Sequence, residues 1–427
     1  MIVLFDKIED RLDDESQRKV AAFIADHADD IFEFTCALIR TPSVNPPGDE
    51  VAVSKVVMDR LAQLGIEDCS IAACLPERPN VMAHVAGTSP GPTLMLSGHL
   101  DTKPAGNMDE WETDPWVPMV VGDQLVGLGS GDMKASIAAM VYAAAALRHL
   151  GEFPGKLSLA LTADEENGSQ YGSKWLAAEG YLEADVCVIG EPAGVHEEWE
   201  SIHLVSRGAA LFKVVVLGTQ MHSSISDQLP AVNATLKMAE LALKMQRELR
   251  GYLTFDDHEY CRLGPTVNVG VTAEAGVTYG VFPGRAEFGV DVRTIPGMTE
   301  EQVQADVQRF LDDAVASDPE LDAELEWNLM VGATEIDASN PIVQSLADAS
   351  QIVLGHTPRL DAFPGATDAA YIQIVAGVPC IASFGPGFLP RAHSPNESMH
   401  KDGAAEAAMI YALSALDYLT TQTANTP

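Results

Sequence analysis

Apolar and polar positions along the chain first follow a helical period. Residues 17–40 and 51–64 carry apolar side chains every three or four positions, which predicts amphipathic helices. The pattern then becomes short apolar runs separated by helical stretches. Residues 93–97, 157–163 and 186–190 read as strands, and residues 135–149 and 169–179 as helices. Such alternation predicts an α/β fold built on a mixed, largely parallel sheet flanked by helices. The rhythm changes near Ser206. "ALFKVVVLG", "PTVNVGVTAE" and "GRAEFGVDVR" read as strands, and "AVNATLKMAELALKMQ" and "EEQVQADVQRFLDDAVA" as helices. This predicts an α+β unit over 206–317, inserted into a domain made of 1–205 and 318–427, with "ELEWNLM" returning the chain to the first fold. The tail "TQTANTP" is expected to fray.

A length of 427 residues agrees with two domains. The formal net charge of −36 excludes a general nucleic-acid binder, because phosphate contacts need a basic surface. It also means that an anionic substrate needs a local cationic pocket. No apolar run reaches the ~18 residues of a membrane span, and the apolar part of "MIVLFDKIEDRLDDES" is too short for a signal peptide. The cysteines, Cys36, Cys69, Cys74, Cys187, Cys261 and Cys380, form no C-x-x-C pair and read as reduced thiols of a cytoplasmic protein.

Chemistry gathers where the predicted strands end. "LSGHLDTKP" places His99 and Asp101 just after an apolar run, and "GLGSGDMKA" places Asp132 before a helix. Glu165 and Glu166 follow the next strand, Glu191 the one after, and "AHSPNE" supplies His393 and Glu397. Each alone has a plain explanation, such as a solvated strand end, a charged helix start or a turn. Together they bring imidazoles and carboxylates from five segments to the carboxyl edge of a sheet, where α/β folds build their sites. That donor set suits zinc, and also manganese or cobalt.

The ordered set "GHLDTKP", "GSGDMKA", "DEENGS", "GEP" and "AHSPNE" resembles the dinuclear metallohydrolase family of acetylornithine deacetylase, succinyl-diaminopimelate desuccinylase, aminoacylase and bacterial glutamate carboxypeptidase. The resemblance runs from about Arg40 to Glu397. It implies two divalent ions bridged by Asp132, one completed by His99 and Glu191, the other by Glu166 and His393. It makes Glu165 the general base on the water between the ions, and Asp101 the residue that orients His99. The inserted unit becomes a lid and dimerisation domain. There His222 would stabilise the oxyanion in the partner's site, and Asn268 and Arg293 would hold a substrate carboxylate or the oxyanion. Taken alone, these three read as a loop histidine, a strand-surface amide and an ion pair.

Two departures bear on the substrate. "GVFP" has Gly280 where the family often carries Asn, and "GDMKAS" has Ala135 and Ser136 where it often has glycines. All metal positions are kept. The implied activity is hydrolysis of a C–N bond, first the amide of a carboxylate-bearing N-acyl amino acid or small peptide-like substrate. The alternative at the same site is hydrolytic deamination of an activated aromatic amine of the nitroanthranilate type. The implied assembly is a homodimer through the lid, with no nucleic-acid or membrane partner.

Overall fold

The computed structural model describes residues 8–424. The chain forms two compact units. One comprises the chain up to Val205, Glu335–Phe363 and the chain from Thr367; the other is Ser206–Thr334 with Pro364–Ala366.

The first unit is organised by a six-stranded sheet. Its spatial order is Cys69–Ala72, Asn80–Ala86, Pro154–Thr162, Ser89–His99, Val186–Ile189, Cys380–Ile381. The first two pairings are antiparallel and the remaining three parallel. Strand Val186–Ile189 is buried throughout, as a central parallel strand covered on both faces must be. Register then aligns the strand ends: His99 pairs with Thr162, and Ser97 with Ile189. Whatever follows these three strands therefore emerges at one edge.

Helix Ala135–Leu150 packs on this framework and against helices Glu15–Asp26 and Gly403–Ala424. Its run of small side chains leaves Ala135 through Leu147 buried all round. No helix among the described residues is long and apolar enough to cross a membrane.

Residues 17–40 form two helices rather than one continuous element, Glu15–Asp26 and Ala28–Ile39. The break falls at His27, whose Nδ1 turns back to the Phe23 carbonyl at 2.8 Å. Asp29 and Asp30 then favour a new helix start, where carboxylates meet the positive end of the dipole. The helix expected at 169–179 is shortened to Ser173–Ala178. Gly168 and Ser169 take left-handed conformations and delay its start. At the C-terminal end, the last helix takes in Thr421–Ala424 of the expected tail, and 425–427 lie outside the described residues, as do the first seven of the opening segment.

The second unit is a four-stranded antiparallel sheet in the order Thr266–Ala275, Arg285–Thr294, Gly208–Leu217, Asp322–Val331. Helices Ala234–Glu248 and Glu300–Ser317 pack on it. One boundary is corrected here. The segment containing "ELEWNLM" does not return to the first sheet but pairs along Gly208–Leu217, so the inserted unit ends at Thr334 rather than at 317. The cause is strand alternation: Trp327 sits opposite Phe212 with ring centroids 4.7 Å apart, and Leu325 sits opposite Val214.

Candidate metal centre

At the shared strand edge of the first unit the side chains converge. His99 closes its strand, and its Nε2 lies 2.9 Å from Asp132 Oδ1 and 3.4 Å from Glu191 Oε1. His393 Nε2 lies 3.2 Å from the other oxygen of Asp132, Oδ2, and 3.1 Å from Glu166 Oε2. Asp132 thus turns one oxygen to each imidazole. Candidate ligand atoms of His99, Asp132 and Glu166 fall within 4.8 Å of one another, and so do those of His99, Glu165 and Glu191. The five expected ligands and Glu165 are therefore brought to one place.

Backbone geometry explains how Asp132 reaches inward. It departs from helical angles (φ −123°, ψ 89°) just before the helix that begins at Ala135. The Glu397 carboxylate holds this turn, accepting the backbone N–H groups of Gly129 at 3.1 Å and of Gly131 and Asp132 at 3.0 Å each. The Glu165–Glu166 turn is held from the other side. Asp101 accepts the backbone N–H of Glu165 at 3.2 Å and of Glu166 at 3.1 Å. His99 Nδ1 faces the Asp101 carbonyl at 3.0 Å and its carboxylate at 3.6 Å. Asp101 orients the ring mainly through its main chain, then, and spends its carboxylate on the glutamate turn.

Behind Asp101 stands a buried polar chain. The Asn45 amide donates to Asp101 at 2.8 Å and to Asp164 at 2.9 Å. Arg78 lies 2.7 Å from Asp164 and 2.9 Å from Glu50. A Cβ on Gly48 would stand 1.7 Å from the Arg78 guanidinium, so only glycine fits at that approach. Asp164 sits in the left-handed region (φ 66°) and so turns the chain sharply into Glu165. Asp368 accepts from Thr162 at 3.1 Å and from Ser169 at 2.5 Å, fixing the far side of the same turn.

The electrostatics are those of crowded carboxylates. Burial pushes the Glu165 carboxyl well above its ordinary range; His99 opposes this, and Glu191, Asp368 and Glu166 add to it. Burial and then Asp132 push Glu191 up to about 7. Burial works against charge on His393, but Asp132 and Glu166 outweigh it and raise the imidazole to about 11. His99 is raised in the same way by Asp132 and Glu191. Asp132 goes the other way: despite burial, the two imidazoles hold it low. A pocket with more carboxylates than cations, and with imidazoles on both sides of one aspartate, fits two divalent ions.

The sequence alone does not single out Asn45, Arg78, Asp164 or Asp368, and it places Glu397 only beside His393. Asn45 and Asp368 are each a charged or amide residue in a Pro-rich or Gly/Ala-rich stretch, whereas Asp164 is masked by the adjacent Glu165 and Glu166.

His222, Asn268 and Arg293 lie in the second unit. His222 is exposed, and its Nδ1 accepts the Ser224 backbone N–H at 3.2 Å, which leaves the proton of the neutral ring on Nε2. Arg293 pairs with Asp291 through Nε at 2.8 Å and Nη2 at 2.9 Å. Asn268 is exposed directly opposite Asp291.

Comparisons with known proteins identify the family. Residues 95–417 match peptidase family M20/M25/M40. The succinyl-diaminopimelate desuccinylase of Leptothrix cholodnii is 30% identical over 364 residues, covering 82% of this chain and 88% of the relative. Among solved structures, an M20 family metallo-carboxypeptidase from Sulfolobus solfataricus superposes with a TM-score of 0.73 at 20% identity, covering 91% of this chain and 99% of that one. A dinuclear metal-binding M20 peptidase from Bacillus subtilis gives 0.65 at 17% identity, covering 93% and 99%. With the ordered motifs and the two-sided aspartate already in place, the chain belongs to peptidase family M20/M25/M40 and is a metal-dependent amidohydrolase.

Proposed function

We propose that the enzyme hydrolyses the amide bond of a carboxylate-bearing N-acyl amino acid or small peptide-like substrate, using two divalent ions. The observation that carries this reading is Asp132, with Oδ1 toward His99 and Oδ2 toward His393. Asp132 would hold both ions, with His99 and Glu191 completing one position and Glu166 and His393 the other. Zinc is the first candidate and manganese or cobalt the alternatives. When bound, the ions polarise the scissile carbonyl and make water acidic enough to ionise near neutral pH.

The chain's own groups do the rest. Glu165 takes the proton of the attacking water and returns it to the leaving amine, a role open to a carboxylate beside the ligands that is not needed as a ligand itself. Asp101 holds the Glu165–Glu166 turn and orients His99. His222 presents an Nε2–H donor for a developing oxyanion. Asn268 contributes an amide beside the Asp291–Arg293 pair. Arg293 keeps Nη1 outside that pair and offers it to the substrate carboxylate.

The inserted unit serves as lid and dimerisation domain. Strand Thr266–Ala275 has no sheet neighbour on its outer side among the described residues, and Leu236 and Leu243 are exposed on the helix packed beside it. An open edge next to an apolar helix face suits pairing with a second copy. Four buried cysteines, Cys36, Cys187, Cys261 and Cys380, fit a cytoplasmic setting.

The test is a screen of N-succinyl and N-acetyl amino acids, dipeptides and substituted anthranilates with added zinc, manganese or cobalt. Release of a carboxylic acid and a free amine is expected. Ammonia as the sole nitrogen product, from an anthranilate alone, would replace this reading with hydrolytic deamination.

A further inference from the structure

Glu166 is gripped at three points by one neighbour. The Lys103 ammonium lies 3.2 Å from Glu166 Oε2 and also donates to the Glu166 backbone carbonyl. The Lys103 backbone N–H donates to Glu166 Oε1 at 3.1 Å. Both carboxylate oxygens available to an ion on the His393 side therefore already face a cation or a donor.

The His99 side differs. The ion-pairing partner of Glu191 is the His99 imidazole, at 3.4 Å from its Oε1, where Glu166 has the Lys103 ammonium. The imidazoles differ as well. His99 is buried with its Nδ1 held at 3.0 Å by the Asp101 carbonyl. The His393 side chain is 47% exposed, and among the described residues its Nδ1 has no hydrogen-bond partner. An imidazole whose second nitrogen is fixed is the better-oriented ligand.

An ammonium and a divalent ion seek the same carboxylate oxygens and repel each other. We propose that Lys103 is an internal competitor for the ion held by Glu166 and His393, so that loading this position requires the ammonium to leave Glu166. This rests on the metal-hydrolase reading above. Lys103 thereby sets the affinity of one position while leaving the His99 position untouched.

The experiment compares full-length wild type with Lys103→Met, Lys103→Gln and Lys103→Arg. Each is stripped by chelation and titrated with Mn²⁺ by calorimetry, with bound metal counted after dialysis. Removing the charge is expected to tighten the weaker binding event about tenfold or more, the scale on which groups around a ligand act. The tighter event should not move, and Lys103→Arg should stay near wild type. A wild type that takes up one ion beside a Met variant that takes up two is the extreme form of the same result. A weaker event unchanged in both neutral variants overturns the proposal, as does an equal gain in Lys103→Arg. Failure of the wild type to bind any Mn²⁺ would overturn the metal-hydrolase reading itself, and this inference with it.

Discussion

The Glu397 carboxylate accepts the backbone N–H of Asp132 at 3.0 Å, so the aspartate that faces both histidines is held through its main chain by a residue 265 positions away. The same carboxylate satisfies Gly129 and Gly131. Glu397→Gln keeps one acceptor oxygen and should leave the fold intact while lowering metal affinity about 10–100-fold, the usual cost of a lost supporting contact. Glu397→Ala strands three N–H groups and should cost on the order of 2–5 kcal/mol of stability. Metal analysis and urea unfolding read the two effects. Unchanged metal affinity in Glu397→Gln would reduce the residue to a packing role.

Glu165→Gln is expected to lower kcat by about 10²–10⁴-fold, the range for a lost acid–base group, with metal content retained. Asp132→Ala should lose metal instead. The nearness of Glu165 to His99 and Glu191 makes this a real test, since a ligand role would show as metal loss in Glu165→Gln.

A buried histidine joined to the Glu191 backbone through Ser383 is expected to contribute to acid stability. His203 Nδ1 lies 3.2 Å from Ser383 Oγ, its ring meets Phe363 edge-on, and burial pushes its pKa from the ordinary 6.5 down to about 4. Asp361 and Glu200 oppose that shift and Arg359 reinforces it. Above pH 6.5 the ring is neutral in both folded and unfolded chains and contributes no slope. Between 6.5 and 4 the unfolded chain takes up a proton that the folded chain refuses, so stability falls with pH, by roughly 3 kcal/mol in total. His203→Asn should flatten this part of the urea-midpoint profile. A variant profile parallel to wild type would show that other groups set the slope.

Subunit exchange tests whether His222 acts across a dimer. Glu165→Gln and His222→Ala should each be nearly inactive alone. Mixed with exchange, they should recover toward about a quarter of wild-type activity, because half the dimers are mixed and each carries one intact site of two. Verified exchange with no recovery would place His222 in its own subunit's chemistry or outside catalysis.

The strand-end carboxylates and imidazoles were legible because in-register parallel strands leave only one edge at which such groups can collect. The supporting residues were not. Asn45 and Arg78 reach Asp101 and Asp164 across 56 and 86 positions, and nothing local marks such a pairing. The boundary near Thr334 was hidden for a related reason. An alternating strand looks the same whichever sheet it joins, and its partner emerges only from pairings such as Phe212–Trp327 and Val214–Leu325. The short helix Ser173–Ala178 escaped because left-handed turns at Asp164 and Ser169 break a pattern that period alone would extend.

Helix Ala135–Leu150, which begins just after the Asp132 turn, has thirteen consecutive buried residues and so no free face on which substitutions could accumulate cheaply. Adding even a methylene there forces neighbouring side chains out of their rotamers. New specificity in this lineage must therefore arise elsewhere, in loops and in the inserted unit, while the element leading out of the bridging aspartate stays almost frozen. A deep mutational scan would show that division as a band of intolerance over 135–147, against greater tolerance at the exposed positions of the inserted unit.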